Sequence, residues 1–338
     1  MGKIMKRYHK LLLIVGSVLL VVGLLVCGGA IAAEGFDLEK FDQSANAREA
    51  EHFTVSESIS SVWIDSNYYD VRVEAGADIK TPELILSQDL FYYEVEDGKL
   101  SIMERDLRDE KGWKWYRLFN FNFNSDKQRL VVRLPAGYHG NLEIFNAFGM
   151  TKLEGLQDLS AFRVQNDNGA LDISDVAVAE ESNIISKFGN VSIHDASFAD
   201  RITVSNDNGG VQLENLQFKN AMVKMQFGEF SGKALEGDEL IVSVSNGGSR
   251  LENIKTEKFV RVFSNFGDIR ATGLESPEIK FDSDNGGVNA EIVGRQSDYV
   301  ISPDVKFGNT NLKPQFSGKK FLEVTSQFGD CNITFTEE

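Results

Sequence analysis

Ser186-Lys187-Phe188-Gly189-Asn190-Val191-Ser192-Ile193 is answered twenty residues later by Asn206-Asp207-Asn208-Gly209-Gly210-Val211. Both stretches place a small or amide residue three positions before a Gly and an apolar residue two positions after it, and Ile193 and Leu213 stand four positions after it. Working outward, the same Gly recurs at 149, 169, 189, 209, 228, 247, 267, 286, 308 and 329, at intervals of 19 to 22 residues. The residue before it alternates from Phe148 through Asn168, Phe188, Asn208, Phe227, Asn246, Phe266 and Asn285, and ends on Phe307 and Phe328. A fixed period over ten copies is the signature of a solenoid. A stack of near-identical coils favours a surface or scaffold role over a single concave catalytic pocket.

The physical content of one repeat is period-two alternation. Leu171 and Ile173, Val191 and Ile193, Val211 and Leu213, and Ile269 and Ala271 follow their Gly at the apolar positions. Five residues before nine of the ten Gly stand Ile144, Val164, Ile184, Val204, Val223, Val242, Val262, Phe281 and Val324. Polar Arg163, Asp172, Ser192, Thr203, Gln212 and Arg261 lie between, so the strands bury one face. Asn146, Asn166, Ser186, Asn206, Ser264, Ser283 and Ser326 share parity with the buried positions. They are expected to be inward corner residues bonded to the turn backbone. Each Gly then provides the positive φ of the corner.

Two strands of about five residues and two turns make one twenty-residue coil of a two-faced β-solenoid. A forty-residue coil would instead stack Phe on Phe and Asn on Asn, and like-on-like ladders are favourable. Repeat-length norms favour the shorter coil, which predicts parallel in-register pairing of Leu171-Asp172-Ile173 with Val191-Ser192-Ile193.

The 338-residue chain has 24 Phe, 30 Gly and only 5 Pro, which suits a repetitive β protein. Its net charge is −16, and Lys3, Lys6, Arg7 and Lys10 are all cationic, so the remainder stands near −20. That argues against nucleic acid and against a broad anionic-lipid contact. Of the two cysteines, Cys27 lies in an apolar run and Cys331 in an inward slot, with neither a disulfide framework nor zinc spacing. Cys331 is expected to be a small buried hydrophobe.

Leu11 to Ala33 is an uncharged apolar run of 23 residues, long enough to span a bilayer as one N-terminal transmembrane helix. Cations precede it, and Glu34, Asp37 and Glu39 follow it. The positive-inside rule therefore makes the N-terminus cytoplasmic and the C-terminal domain extracellular, in a single-pass protein of the cell membrane. Ala30-Ile31-Ala32 also fits a signal-peptidase site, which would release the protein. Leu24-Leu25-Val26-Cys27 resembles a lipoprotein box broken at Val26. The expected organisation is a basic tail at 1–10, the membrane segment at 11–33 and a tether at 34–52. An irregular β cap at 53–140 and the solenoid at 141–338 complete it.

Within the cap region, Asp97-Gly98 between two β-rich runs signals a hairpin. Trp113-Lys114-Trp115-Tyr116-Arg117-Leu118-Phe119-Asn120-Phe121-Asn122-Phe123 interleaves aromatics with cations. It reads either as an ordinary strand burying Phe119, Phe121 and Phe123, or as a contact patch built on Trp113, Trp115, Tyr116 and Arg117. That patch would meet a partner protein, a cell-wall glycan or the membrane interface.

His9, His52, His139 and His194 lack metal spacing, and no nucleophile elbow, phosphate loop or dinucleotide fingerprint is present. Acidic turns such as Asn166-Asp167-Asn168 and Asn206-Asp207-Asn208 lack calcium-loop spacing, so turn chemistry is the expectation. Neither a catalytic residue nor a cofactor is expected. A polysaccharide hydrolase or lyase on a β-helix is the alternative, and it would need a carboxylate cluster that cannot be singled out here.

The [Ser/Asn]-x-[Phe/Asn]-Gly corner followed by alternating apolar residues resembles the bacterial putative-adhesin family of β-strand repeat proteins. The likeness covers about Phe53 to Phe335 and is strongest from Leu142 on. The N-terminal apolar run is similar to that of membrane-bound members linked to the Lia-type envelope-stress response of Gram-positive bacteria. The resemblance implies a membrane-anchored, extracytoplasmic β-solenoid that binds or scaffolds at the cell envelope. It carries over no catalytic residue.

Overall fold

The computed structural model describes residues 50–105 and 130–336, together with Gly23. The chain divides into two units, Met1–Arg48 with Asp106–Lys127, and Glu49–Arg105 with Gln128–Glu338. The first lies outside the described residues except for Gly23; the second is an all-β solenoid.

One coil can be followed along the strand Val191–Asn208. Val191, Ile193, Ala196, Phe198, Ile202, Val204 and Asn206 are buried, and the alternation slips at His194–Asp195 and again at Ala199–Arg201. With the Gly corner, each coil therefore turns at three places. The expectation of two strands and two turns is corrected, because one of the turns mostly carries a residue other than Gly and so left no obvious mark. Its slot is filled by Asp175, Asp195, Asn215, Ala234 and Asn253, with φ of 55°, 54°, 55°, 51° and 54°. Gly155 and Gly273 occupy the same slot at 75° and 66°. Asp and Asn tolerate the left-handed region better than other side chains do, and the Asn215 amide also bonds the Asp195 carboxylate.

Ala234 is the exception in that column. Ala234→Asn should therefore stabilise the protein by about 1 kcal/mol, since it trades a left-handed Ala for a residue suited to that region. A rise of a few degrees in melting temperature would bear this out; a fall would show that the slot is not strained.

Strands pair in parallel with the strand one repeat ahead. Leu171, Asp172 and Ile173 face Val191, Ser192 and Ile193, and Val211 faces Phe230. The coil is thus the repeat of about twenty residues, and Phe and Asn share one column rather than forming separate ladders. Five residues before every Gly but Gly308, Ile144 to Phe281 and Val324 are at most 1% exposed and make the central column of the core. Fully burying such a side chain stabilises the fold by about 1.5–3 kcal/mol. Cys331 is buried in its inward slot as expected, and burial pushes its thiol pKa up.

Both ends depart from chain order. Ser61–Ser66 and Val71–Gly76 form a regular coil, which lies between the strands Asn141–Phe148 and Thr151–Glu154 on one side and Lys99–Glu104 and Leu130–Pro135 on the other. The outer edge is then covered by antiparallel strands. Glu83–Leu86 pairs with Leu130–Pro135, and Phe91–Glu96 pairs with Lys99–Glu104 through the hairpin at Asp97-Gly98. Both turn residues have positive φ, 49° and 75°, as a two-residue hairpin turn requires. Such caps block the unpaired edge that a stack otherwise presents.

At the other end Lys320–Phe328 inserts between Glu278–Asn285 and Tyr299–Phe307. Phe281 pairs with Val324, 43 residues away by number, so the last two copies of the repeat are exchanged relative to their sequence order. The outermost strand is the one containing Pro303, where a missing N–H does least harm. Its outer side carries one antiparallel bridge, Ile301 to Gln315.

Among the described residues no helix is long and apolar enough to cross a membrane. Leu11 to Ala33 lies outside them apart from Gly23.

Candidate functional site

Trp113, Trp115, Tyr116 and Arg117 fall outside the described residues. The chain leaves the described part after Arg105 and re-enters it at Leu130, between two strands of one coil. Beside that exit, Glu104 accepts bonds from the N–H groups of Asn67 and Tyr68 and from Ser66 Oγ. Burial pushes its carboxyl pKa up against those bonds.

The described site is the Gly corner itself. Gly189, Gly209, Gly228, Gly247 and Gly267 have φ between 127° and 147°. A Cβ on any of them would run into the carbonyl oxygen of the Gly one coil back, for example Gly209 into Gly189. Close stacking, as much as φ, therefore demands Gly here. Each Gly N–H continues the ladder by donating to the preceding Phe or Asn of the next coil, as Gly189 does to Asn208 O at 2.9 Å.

Inside the corner, Asn166 Nδ2 donates to Gly169 O at 2.8 Å, and the Ser264, Ser283 and Ser326 hydroxyls donate to their Gly carbonyls at 2.9–3.1 Å. This is the inward polar role expected of them; Ser186, in the same slot, is buried but its hydroxyl bonds to nothing among the described residues. In three coils the apolar Met225, Val244 and Val305 replace them, the first two buried and Val305 half-buried.

Outside the corner stands a single column of alternating Phe and Asn. Asn168 pairs with Phe188, Phe188 with Asn208, Asn208 with Phe227, Phe227 with Asn246, and Asn246 with Phe266. Phe148, Phe188, Phe227, Phe266, Phe307 and Phe328 are 48–67% exposed, so none of them is core. At one end Tyr68 stacks on Phe148 at 5.7 Å, and at the other Phe307 stacks on Phe328 at 5.0 Å. The Asn amides are tied to the coil behind, with Nδ2 of Asn168, Asn246 and Asn285 donating to the carbonyls of Ala147, Gln226 and Asn265 at 3.1–3.2 Å.

A second alternation sits on the far side of the Gly. Met150, Asn190, Glu229, Asp268, Asn309 and Asp330 follow Phe-Gly, whereas Ala170, Gly210, Gly248 and Gly287 follow Asn-Gly. The edge is therefore corrugated with a two-coil period, ridges on the Phe coils and notches on the Asn coils. This pairing was legible in the sequence and escaped the reading of it, which followed the residue before the Gly alone. An open cavity of about 400 Å³ lies in one notch, over Gly248 and between Glu229 and Asp268, with Ser249, Arg250 and Arg270 beside it.

Ion pairs hold the flanks. Lys187 Nζ lies 2.7 Å from Asp167, and Arg270 lies 2.8 Å from Asp268. Partial burial works against ionisation of Asp167, but the bonds from Lys187 and Gln165 prevail and lower its pKa.

A stacked β-solenoid with a repeating, exposed corner is an architecture for presenting a surface. The model of the Toastrack family, DUF4097, matches residues 59–236, and the chain belongs to that family. The resemblance read from the corner motifs thus holds at the level of the family. No curated protein matches the chain. Among solved structures it is similar to a putative cell adhesion protein from Clostridium sporogenes ATCC 15579, with 10% identity over 85% of this chain and 99% of that one, at a TM-score of 0.22. It is also similar to a putative adhesin from Bacteroides fragilis NCTC 9343, with 12% identity over 84% and 95% of the two chains, at a TM-score of 0.32.

Proposed function

We propose that this protein is a non-catalytic binding and scaffolding module of the bacterial cell envelope, anchored by Leu11 to Ala33 with its solenoid outside the membrane. The observation that carries the binding role is the exposed Phe/Asn edge. Half-exposed Phe residues held in register by the backbone ladder are a preorganised contact surface, and they contribute little to the core. The asymmetry of charge around Leu11 to Ala33 supports the orientation. The likeness of that run to membrane-bound family members supports a part in the envelope-stress response.

Fractionation tests the anchor and its orientation. The full-length chain should sediment with membranes, and added protease should degrade the solenoid in intact protoplasts. A soluble product in the medium lacking about 30 residues would show instead that the apolar run is a cleaved signal. Binding is tested with the full-length chain immobilised in detergent micelles. It should retain material from envelope extracts, and retention no greater than that of bare resin would remove the binding role.

A further inference from the structure

We infer that the Phe/Asn edge binds an uncharged, extended β-1,4-linked polysaccharide, one disaccharide for every two coils. This deepens the binding role proposed above and rests on it.

The first ground is period. Coils of a parallel stack are about 4.8 Å apart, so a motif repeating every second coil recurs at about 10 Å. In an extended β-1,4 chain each sugar is turned over relative to the last, so the chemical repeat is a disaccharide, whose advance is of the same size. Phe188, Phe227 and Phe266 alternate in register with Asn208, Asn246 and Asn285 over six consecutive coils. A polymer of that period would meet the same environment at each step.

The second ground is chemistry. Sugars pair apolar C–H faces with rings of hydroxyls, and the edge alternates an aromatic ring with an amide. Acidic groups line the same edge at Asp167, Asp207, Glu229, Asp268 and Asp330, and the chain carries −16 overall, which disfavours a polyanion. The occupant is therefore not a polyanion, and with Arg250 and Arg270 beside Glu229 and Asp268 the notch has no net charge to favour a polycation.

The third ground is the notch floor. Gly209 and Gly247 are Gly because nothing larger fits. Their neighbours Gly210 and Gly248 are under no such demand: a Cβ there would meet nothing closer than 3.6 Å and 3.4 Å, and neither has a left-handed φ. The fold does not require these two glycines, but an approaching ligand would. The cavity over Gly248 adds an independent sign. Ser249 borders it, is 3% exposed, and its Oγ has no hydrogen-bond partner among the described residues. Other coils fill that slot with Leu171, Val191, Val211, Phe230, Ile269, Val288 and Cys331, and with Thr151, whose buried hydroxyl is hydrogen-bonded with Asn146 and Asn166 where that of Ser249 is not.

The test is co-sedimentation of the full-length chain in detergent micelles with microcrystalline cellulose and with chitin, both β-1,4-linked and uncharged. Starch granules serve as the α-linked control. Binding to at least one β-1,4 matrix and not to starch is expected. Gly210→Asn with Gly248→Asn places in the notches a residue that Phe coils already carry, and should weaken binding at least tenfold with the melting temperature unchanged. Phe188→Ala with Phe227→Ala removes two exposed rings and should do the same, which keeps the test decisive if the first variant misfolds. No binding to either β-1,4 matrix, equal binding to starch, or full binding by both variants would overturn the inference. So would self-association that these variants abolish in the absence of glycan binding, which would assign the edge to a second copy of this chain. If envelope material is still retained while both matrices fail, only the ligand class falls. If both fail, the wider binding role falls with it.

Discussion

Gly209→Ala is expected to destroy the native stack locally and to cost about 4 kcal/mol or more, in the range that marks an exceptional substitution. The added methyl would collide with the carbonyl oxygen of Gly189, and that atom cannot move aside. It belongs to backbone and accepts a bond from Asn206 Nδ2 at 3.0 Å, while Gly209 itself is fixed by its N–H bond to Phe227 O at 3.0 Å. Relief requires the coils to part, losing ladder bonds of about 1 kcal/mol each, on top of about 1–3 kcal/mol of strain for a side chain at φ 135°. The control lies one residue away. Gly210→Ala should change stability by less than about 0.5 kcal/mol, since its Cβ has room. Denaturant midpoints of the two variants measure the difference directly, and equal midpoints would disprove the close-stacking account of the corner.

Val211→Asp should be nearly as damaging for a different reason. Val211 is 1% exposed and stacks between Val191 and Phe230 in adjacent coils. A carboxylate there loses its hydration and gains no partner, which costs several kcal/mol, about 3–5 by analogy with an uncompensated buried charge. The sign of the pH dependence follows. Burial raises the folded-state pKa of the new carboxyl above its unfolded value of about 3.9, so the folded state prefers the protonated form. The penalty is full above the raised pKa and shrinks as pH falls through it, so the variant should regain stability on acidification relative to wild type. Val211→Asn, uncharged and of similar size, should be destabilised without that pH dependence. A Val211→Asp variant that melts with wild type would show that the face assignment is wrong.

The corner, the core columns and the register could be read from the residues because each is repeated about ten times, and repetition averages out local ambiguity. Leu171, Ile173 and Val191 are each weak signals, but together at one period they admit a single face. What escaped has physical causes too. The turn at Asp175, Asp195 and Asn215 is made by residues that look like any exposed polar side chain, and nothing marks them as left-handed except their common spacing. The exchange of Phe307 and Phe328 is invisible because both copies carry the same motif, and neighbour choice is settled only by how the end closes. The notches at Gly210 and Gly248 resemble ordinary turn glycine until compared with Gly209 and Gly247, whose constraints differ. Trp113 to Arg117 has no counterpart in the repeats, so no averaging helped there.

The insertion of Lys320–Phe328 between two earlier strands sets a timetable for synthesis. From Asn141 on, a chain emerging from the ribosome can add coils one after another, each docking on strands already made, as far as Val293. Tyr299–Phe307 comes next but has no seat, because its partner strand has not yet been made. Growth by simple accretion must pause there until residue 328 is free, after which the two final strands lock in one step. The coils from Asn141 on therefore mature by nearest-neighbour steps, while this end of the stack closes only after Lys320–Phe328 has been made.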